Sequence, residues 1–324
     1  MSIALRRLGI AAAFLGTLLC LPLAAQDNYP ARHLRLIVPY TPGASTDALS
    51  RAFAEEAAKL LGKAIVVENK GGAGTAIGTQ AAVQAPADGY TLLFGSGTMV
   101  STMHAMKDPG FKLSDLTAVV LLAEQVYMLL VPASLPVKNT GEFVAYARAN
   151  ASRLNYGMLG PGSPSHVLAD RLARSAGFHW QAIAYRGGAP TLQALMASEI
   201  QGYFATQSYA MTFLNSDRVR IIAIGSEERS DFLPDVPTFK ESGIDGVVER
   251  GWYGLFVRSE TAPGIVARLR SVGAEVMKSA WMRTQLRNQG LSGYKGSLES
   301  FPAALARESA EKAEEAKRYG YAPQ

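Results

Sequence analysis

Four short loops in this sequence are rich in glycine and in hydroxyl side chains, which are residue types that can bind anions through neutral groups. They cover residues 40–47, 71–78, 95–98 and 160–166, and each follows an apolar run and precedes a predicted helix. A loop that opens a helix leaves backbone N–H groups unpaired at the positive end of the helix dipole. These loops could therefore bind an anion without a basic side chain. A tight strand-to-helix connection would use the same residue types, so each loop alone leaves both interpretations open.

The first of these loops belongs to the most complete strand–loop–helix unit. Residues 36–38 read as a buried strand, Pro42 and Gly43 mark a turn, and from Ser45 onward apolar residues recur at helical spacing. A ligand site and an ordinary strand-to-helix turn both remain open for this unit from its residues alone. If it contacts a ligand, the candidate residues are Tyr40, Thr41, Ala44, Ser45, Thr46 and Asp47.

The patterns that mark catalytic or metal sites are missing from the sequence. Residues 43–47 fail the Gly-x-Ser-x-Gly pattern of hydrolases at the last position, and 72–78 are one residue out of register for a dinucleotide-binding fingerprint. The four histidines have no metal-ligand spacing. We therefore predict no catalytic residue, no metal and no cofactor. A hydrolase that uses His166 with a loop serine is the weakest alternative, because no motif supplies a partner for that histidine.

The N-terminus has the pattern of a secretory signal peptide. Arg6 and Arg7 precede an apolar run over 8–21, and small residues at 23–25 offer a cleavage site. We predict a signal peptide over residues 1–25 and export to the periplasm. The only cysteine, Cys20, would leave with this peptide, so the mature chain would form no disulfide.

The composition argues against a nucleic-acid partner. The formal net charge of +5 falls to about +3 without Arg6 and Arg7, and no stretch gathers basic residues into a block. No segment after the signal peptide is long and apolar enough to cross a bilayer. We expect a soluble, exported monomer that does not bind nucleic acid.

Strands and helices alternate along the mature chain, which is typical of an α/β fold with helices on both faces of mostly parallel sheets. A strand–loop–helix unit occurs near Pro39 and again near Tyr156, which indicates two domains. We predict a first domain of residues 26–126 and 252–324 and a second of 127–251. The glycine-rich loops would then lie at the carboxyl ends of strands, where open α/β sheets bind ligands, and would face each other across a cleft.

Individual elements follow from apolar runs and from turn and cap residues. Thr140 is predicted to cap a helix, and a further helix is expected over 262–279, starting just before Pro263. The chain end, 300–319, reads as an amphipathic helix with a solvated face. The predicted strands are 36–38, 64–68, 90–94, 116–124, 126–131, 155–157, 183–185, 200–204, 219–224 and 252–257.

A series of short motifs in a fixed order resembles the solute receptors of tripartite tricarboxylate transporters, the Bug receptor family. The resemblance covers essentially the whole mature chain, and it is the order of about a dozen pieces rather than any single piece that carries it. The motifs are Tyr29-Pro, Leu36-Ile-Val-Pro-Tyr-Thr-Pro-Gly, Asp47, Arg51, Val66-Val-Glu-Asn, Gly72-Ala-Gly, Ala87-Asp-Gly-Tyr-Thr-Leu-Leu, Ser134-Leu-Pro, Leu154-Asn-Tyr-Gly, Gly162-Ser, Ser165-His, Tyr185-Arg-Gly, Pro190, Leu233-Pro-Asp-Val-Pro-Thr and Trp252-Tyr-Gly-Leu.

The resemblance implies a periplasmic binding protein fold, in which two α/β domains joined by crossing hinge strands close around a small organic carboxylate. In this family, backbone N–H groups and water of the first loop grip a carboxylate, and the second domain adds N–H and hydroxyl contacts. The family is not enzymatic. For this chain, the resemblance implies ligand contacts from Gly162, Ser163, Ser165 and His166 in the loop of the second domain. We add Gly97 and Thr98 from the loop after the third predicted strand.

The sequence departs from the family pattern where the far end of a ligand is expected. Arg186 stands where Lys is usual, and Gln201 and Ala205 replace two aspartates. The resemblance places Ala205 and its neighbour Thr206 near the ligand, so a ligand without an amino group is expected. Arg186 suits a second carboxylate or an aromatic face. Alternatively, Arg186 points to solvent and Ala205 merely packs. Thr41 and Ala44 also differ from the usual Pro and Gly.

The resulting hypothesis is a receptor that captures a dicarboxylate or an aromatic acid. Its partners would be that carboxylate and the membrane subunits of a tripartite tricarboxylate-type transporter. A periplasmic receptor that feeds a two-component sensory system is the alternative, since both would share the same fold and ligand.

Overall fold

The computed structural model describes residues 29–43 and 45–320. The predicted signal peptide and the candidate residue Ala44 lie outside this part of the chain. Among the helices that are described, none is both long and apolar enough to span a membrane.

Eleven strands are described, and most begin or end at a glycine-rich or proline-containing turn. They are β1 (Leu34–Val38), β2 (Ile65–Asn69), β3 (Thr91–Ser96), β4 (Leu116–Gln125), β5 (Tyr127–Pro132), β6 (Asn155–Met158), β7 (Gln181–Ala184), β8 (Gly202–Thr206), β9 (Val219–Ile224), β10 (Gly251–Arg258) and β11 (Ser292–Gly293).

Ten α-helices connect or follow these strands, together with short 3₁₀ turns at Ala73–Thr75, Leu113–Asp115 and Ala151–Arg153. The helices are α1 (Ser45–Leu61), α2 (Ala76–Val83), α3 (Gly97–Ala105), α4 (Thr140–Ala149), α5 (Pro164–Ala176), α6 (Gly188–Met196), α7 (Gln207–Met211), α8 (Pro263–Lys278), α9 (Ala280–Asn288) and α10 (Phe301–Tyr319).

The strands form two sheets, which confirms the α/β fold class. The six-stranded sheet has the order β11-β4-β10-β3-β1-β2, and the five-stranded sheet has the order β7-β6-β8-β5-β9. The first sheet uses strands up to residue 125 and from 251 onward, and the second uses strands between 127 and 224. The proposed domain boundaries at 126/127 and 251/252 stay a prediction that this strand assignment suits.

Both sheets are mixed, whereas mostly parallel sheets were expected. β1 pairs in parallel with β2 and β3, and β6 pairs in parallel with β7 and β8, while the other pairings are antiparallel. Each antiparallel pair includes β4, β5 or β10, the strands next to the points where the chain passes from one sheet to the other. The parallel neighbours are joined through helices, as such pairs need.

Each sheet is buried on both faces, as its long apolar runs indicate. In β1, Leu36 and Val38 join one core cluster and Ile37 joins the cluster on the other face. In β8, Phe204 and Ala205 likewise belong to different clusters. This alternation decides which side chains can reach the ends of the sheets.

Three local predictions need correction. Asn139, not Thr140, caps α4, since its Oδ1 accepts a hydrogen bond from Glu142 N at 2.9 Å. A separate helix, α9, follows α8 because Ser279 ends one helix and caps the next. The predicted strand 183–185 begins two residues earlier and ends one residue earlier, at Gln181–Ala184, and Arg186 lies in the loop before α6.

Candidate functional site

Two adjoining cavities form a cleft at the carboxyl ends of strands from both sheets. The inner chamber has a volume of about 130 Å³ and the outer chamber about 450 Å³. Open α/β sheets bind ligands at this edge. The chambers are adjacent, since five residues line both of them: Tyr40, Thr41, Thr98, Leu159 and Gly188.

Four helices of eight or more residues begin at the cleft. Their first residues line one or both chambers, so the positive dipole ends of these helices are directed toward the same space. The lining residues at these starts are Ser45 and Thr46 of α1, Thr98 of α3, Pro164 and Ser165 of α5, and Gly188 and Ala189 of α6.

Asp47 shapes the first loop and is not a lining residue of either chamber. Its carboxylate accepts hydrogen bonds from Gly43 N and from Asn69 Nδ2, each at 3.0 Å, and pairs with Arg51 at 3.0 Å. Burial pushes the pKa of Asp47 upward, but the hydrogen bonds from Arg51, Gly43 and Asn69 outweigh it and leave the pKa below its ordinary value. The ionised side chain therefore holds the turn in place, with its charge already compensated.

Tyr40 and Thr98 are brought together by Ser96 at the end of β3. Tyr40 Oη lies 2.6 Å from Ser96 Oγ, which also accepts a hydrogen bond from Thr98 N at 3.2 Å. Burial raises the pKa of the Tyr40 hydroxyl, so the group stays protonated. Gly97, the neighbouring candidate, lies against Glu308 and Trp252 and does not line the cleft.

The loop after β6 supplies serines to the inner chamber and uses its histidine internally. Ser163 and Ser165 line the inner chamber, and their hydroxyl oxygens lie 3.1 Å apart. His166 Nδ1 accepts a hydrogen bond from Gly162 N at 3.0 Å, and burial lowers the pKa of its imidazole although Asp170 acts in the opposite direction. Gly162 and His166 are absent from the lining of both chambers, so they position the loop.

The two residues at the end of β8 have different positions. Ala205 is fully buried in the core cluster that contains Met128 and Leu130, and it does not line the cleft. Thr206, one residue later, lines the inner chamber. Arg186 lines the outer chamber, where it is exposed and makes no ion pair with any residue that the structure describes.

Sequence reasoning missed a group of aromatic residues in the inner chamber. Tyr127 and Tyr203 lie in paired strands of the second sheet and Tyr253 lies in the first sheet, so only the tertiary arrangement brings the three together. Burial raises the pKa of all three hydroxyls, which therefore remain neutral hydrogen-bond donors. Gln125 also lines this chamber, through the alternation of β4.

Charges are nearly absent from the cleft. Among the described residues that line the two chambers, Arg186 is the only charged one, and no aspartate or glutamate is present. Three buried polar atoms at the cleft have no hydrogen-bond partner within the described chain: Thr46 Oγ1 and Gln125 Oε1 in the inner chamber, and Thr75 Oγ1 in the outer chamber. The arrangement can bind an anion through neutral donors. No group of residues in the described part of the chain could hold a metal ion.

The sequence and the fold are similar to those of known proteins over most of the chain. A Cupriavidus necator protein named "UPF0065 protein in gbd 5'region" is 34% identical over 290 residues, which cover 89% of this chain and 88% of that protein. The solved structure of periplasmic binding protein BugD has a TM-score of 0.85 at 26% identity and covers 91% of this chain and 100% of its own.

Two solved structures from Rhodopseudomonas palustris contain carboxylates. One protein with adipate has a TM-score of 0.86 at 28% identity, covering 91% of this chain and 100% of its own. MatC with bound malate has a TM-score of 0.82 at 28% identity, and the match covers 88% of this chain and 99% of MatC. The family model described as "Tripartite tricarboxylate transporter family receptor" matches residues 49–316. The chain therefore belongs to the tripartite tricarboxylate transporter receptor family, whose members are periplasmic solute-binding receptors.

Proposed function

We propose that this receptor binds an organic dicarboxylate or aromatic acid that lacks an amino group. One observation carries the proposal: four helix N-termini and several neutral hydroxyls meet at a cleft that no described carboxylate lines. Helix N-termini favour negative charge, and buried hydroxyl donors can satisfy carboxylate oxygens. The two Rhodopseudomonas palustris structures, one with adipate and one with malate, support a ligand of this class.

The same lining argues against an amino acid as ligand. A buried ammonium group needs a counter-ion, and moving it out of water without one costs several kcal/mol in real proteins. Asp47 is compensated within its own loop and does not line either chamber. Thr206 and Tyr209 in the inner chamber carry no charge.

Delivery of the captured acid to membrane subunits of a tripartite tricarboxylate-type transporter forms the second half of the proposal, and family membership supports it. We place the receptor in the periplasm, exported by a signal peptide over residues 1–25 and acting as a monomer that converts no substrate. His166 lines neither chamber, and its Nδ1 accepts a hydrogen bond from Gly162 N, which supports a role in holding the loop.

A thermal-shift screen tests ligand capture. Binding to the native state alone should raise the free energy of unfolding by about 2.7 kcal/mol at a hundredfold excess over the dissociation constant. We expect a clear stabiliser among aliphatic and aromatic acids and none among free amino acids. If no acid shifts the melting temperature, the proposal is wrong.

A further inference from the structure

We infer that the ligand spans both chambers, with one carboxylate in the inner chamber and an elongated apolar body in the outer chamber that ends in a second acidic group at Arg186. The inference rests on the proposed function and adds the length and shape of the ligand. It commits the receptor to a long diacid in preference to a short one.

The adjacency of the two chambers is the first step. Five residues line both, so the chambers lie side by side and a long ligand needs to pass only these side chains to occupy both. The inner chamber of about 130 Å³ is suited to a short acidic group, whereas the outer one, about 450 Å³, falls within the range of 300–1,000 Å³ that is usual for small-molecule sites. A short acid would leave most of the cleft filled with water.

The outer chamber has largely apolar walls. Ala105 and Met106 at the end of α3 contribute to them, as do Leu159, Pro161 and Tyr185 from the second-sheet loops. Apolar surface on both sides favours a methylene chain or an aromatic ring, because burying each methylene group is favourable.

Thr75 gives independent evidence that the outer chamber is built for a ligand. Its side chain is 3% exposed, and its Oγ1 has no hydrogen-bond partner among the described residues, although it lines the chamber. Its φ of 84° lies in the left-handed region that a threonine rarely adopts. A buried hydroxyl without a partner is costly unless a ligand or water satisfies it.

Arg186 sets the far end of the ligand. It is the only charged residue among the described residues that line the outer chamber, and its planar guanidinium can bind a carboxylate with two hydrogen bonds. Because the side chain is exposed, solvent screens this interaction, and its contribution should be modest. Length selection therefore depends mainly on the apolar walls, and Arg186 adds preference for a second acid.

Calorimetric titration with three acids separates these contributions. Succinate is a short diacid, suberate a long diacid, and octanoate has the length of suberate but a single carboxylate. We expect wild type to bind suberate about tenfold or more tightly than succinate, because suberate buries four more methylene groups. Arg186→Gln should weaken suberate about threefold to tenfold and leave octanoate unchanged.

A variant that fills the outer chamber gives the sharpest contrast. Ala105→Trp should weaken suberate about tenfold while leaving succinate within about twofold, since only the outer chamber becomes smaller. Val66→Trp, at an exposed position of β2 that lines neither chamber, is the matched control and should change neither affinity.

The outcomes distinguish the two proposals. If succinate binds as tightly as suberate, or if Ala105→Trp weakens both equally, the length inference is wrong and carboxylate capture stands. If wild type binds none of the three acids, the length inference is wrong. The thermal-shift screen, which also contains aromatic acids, then decides separately whether carboxylate capture stands.

Discussion

The strands β4 and β10 have a cavity on each face, and the two cavities differ in charge: one is lined by neutral residues and the other by many charged ones. In β4, Gln125 lines the inner chamber and its neighbour Glu124 lines a second cavity of about 390 Å³, which we call the hinge cavity. In β10, Tyr253 and Trp252 divide in the same way, as the alternation of a strand requires. The hinge cavity is lined by Glu124, Arg171, Val248, Glu249, Arg250, Gly251, Trp252, Tyr294, Glu308, Glu311, Lys312 and Glu315.

Four charged residues of the hinge cavity, Arg171, Glu249, Lys312 and Glu315, form ion pairs with one another. Glu249 accepts a hydrogen bond from Lys312 Nζ at 2.6 Å and pairs with Arg171 at 3.3 Å. Glu315 of α10 also pairs with Arg171 of α5, so the network connects helices that cover different sheets. The ligand cleft has the reverse character, since its polar atoms are neutral and several lack partners. The comparison indicates that this fold holds its sheets together with compensated charges and leaves uncompensated dipoles for the ligand.

The largest effect should come from breaking the hinge network at its shared acid. Glu249→Gln leaves Lys312, whose side chain is 8% exposed, without its closest partner. Removing one member of a buried ion pair typically costs about 3–5 kcal/mol. Urea unfolding should show a loss of that order, and Glu314→Gln, which breaks an exposed pair with Lys317, should cost less than about 1 kcal/mol. If Glu249→Gln lowers the free energy of unfolding by as little as Glu314→Gln does, the network is not structurally important.

The pH dependence of stability tests the comparison at Glu308, a buried acid of the hinge cavity that makes no ion pair with any described residue. Burial raises its pKa from the ordinary 4.5 to about 7, although Trp252 Nε1 donates a hydrogen bond to Oε2 at 2.7 Å. Between these values the unfolded chain has released the proton and the folded chain has not, so stability falls as pH rises.

Glu308→Gln should remove this dependence. At pH 8 the variant should be more stable than wild type by roughly 2–3 kcal/mol, and at pH 4 the two should be nearly equal. Chemical denaturation across this pH range measures the difference. A wild-type profile that rises between pH 5 and 7 relative to the variant would contradict the raised pKa.

The smallest effect is expected from removing the hydroxyl of Thr46, which has no hydrogen-bond partner in the described chain and which we expect to bind the ligand. Thr46→Val removes Oγ1 while nearly preserving shape, so the free energy of unfolding should stay the same or rise by a few tenths of a kcal/mol. Affinity for a dicarboxylate should fall about threefold to tenfold, which corresponds to one neutral hydrogen bond. Calorimetry and urea unfolding of the same samples give both quantities.

Thr140, at the start of α4, offers a matched control. Thr140 is also buried and its Oγ1 also lacks a described partner, but it lies in α4 and lines neither chamber. Thr140→Val should change stability as Thr46→Val does and leave affinity unchanged. If both variants lose affinity equally, the Thr46 hydroxyl has no specific role.

Much of the cleft could be predicted from the sequence because its loops are local. Ser45, Thr98 and Ser165 stand in strand–loop–helix units whose composition is recognisable, and the structure places each of them in the lining. Asp47 and His166 lie in the same loops, yet their side chains turn inward to hold backbone N–H groups. Composition alone does not distinguish a residue that contacts the cavity from one that supports the loop.

The remaining features depend on long-range pairing. Tyr127, Tyr203 and Tyr253 meet only because β5 pairs with β8 and β10 enters the first sheet beside β4. Ala205 lies in the core cluster and not in the lining, whereas the larger side chain of Tyr203, on the same face of β8, reaches the inner chamber. Neither the pairing nor the exact end of a strand is visible in local sequence pattern.

Calorimetric titration with matched acids that differ only by an amino group tests the central claim most directly. The pairs are succinate with aspartate, and suberate with α-aminosuberate. A cleft with neutral donors and no described carboxylate should bind the amino-free member of each pair at least about tenfold more tightly, since the buried ammonium finds no counter-ion. Equal or tighter binding of aspartate or α-aminosuberate would contradict the account.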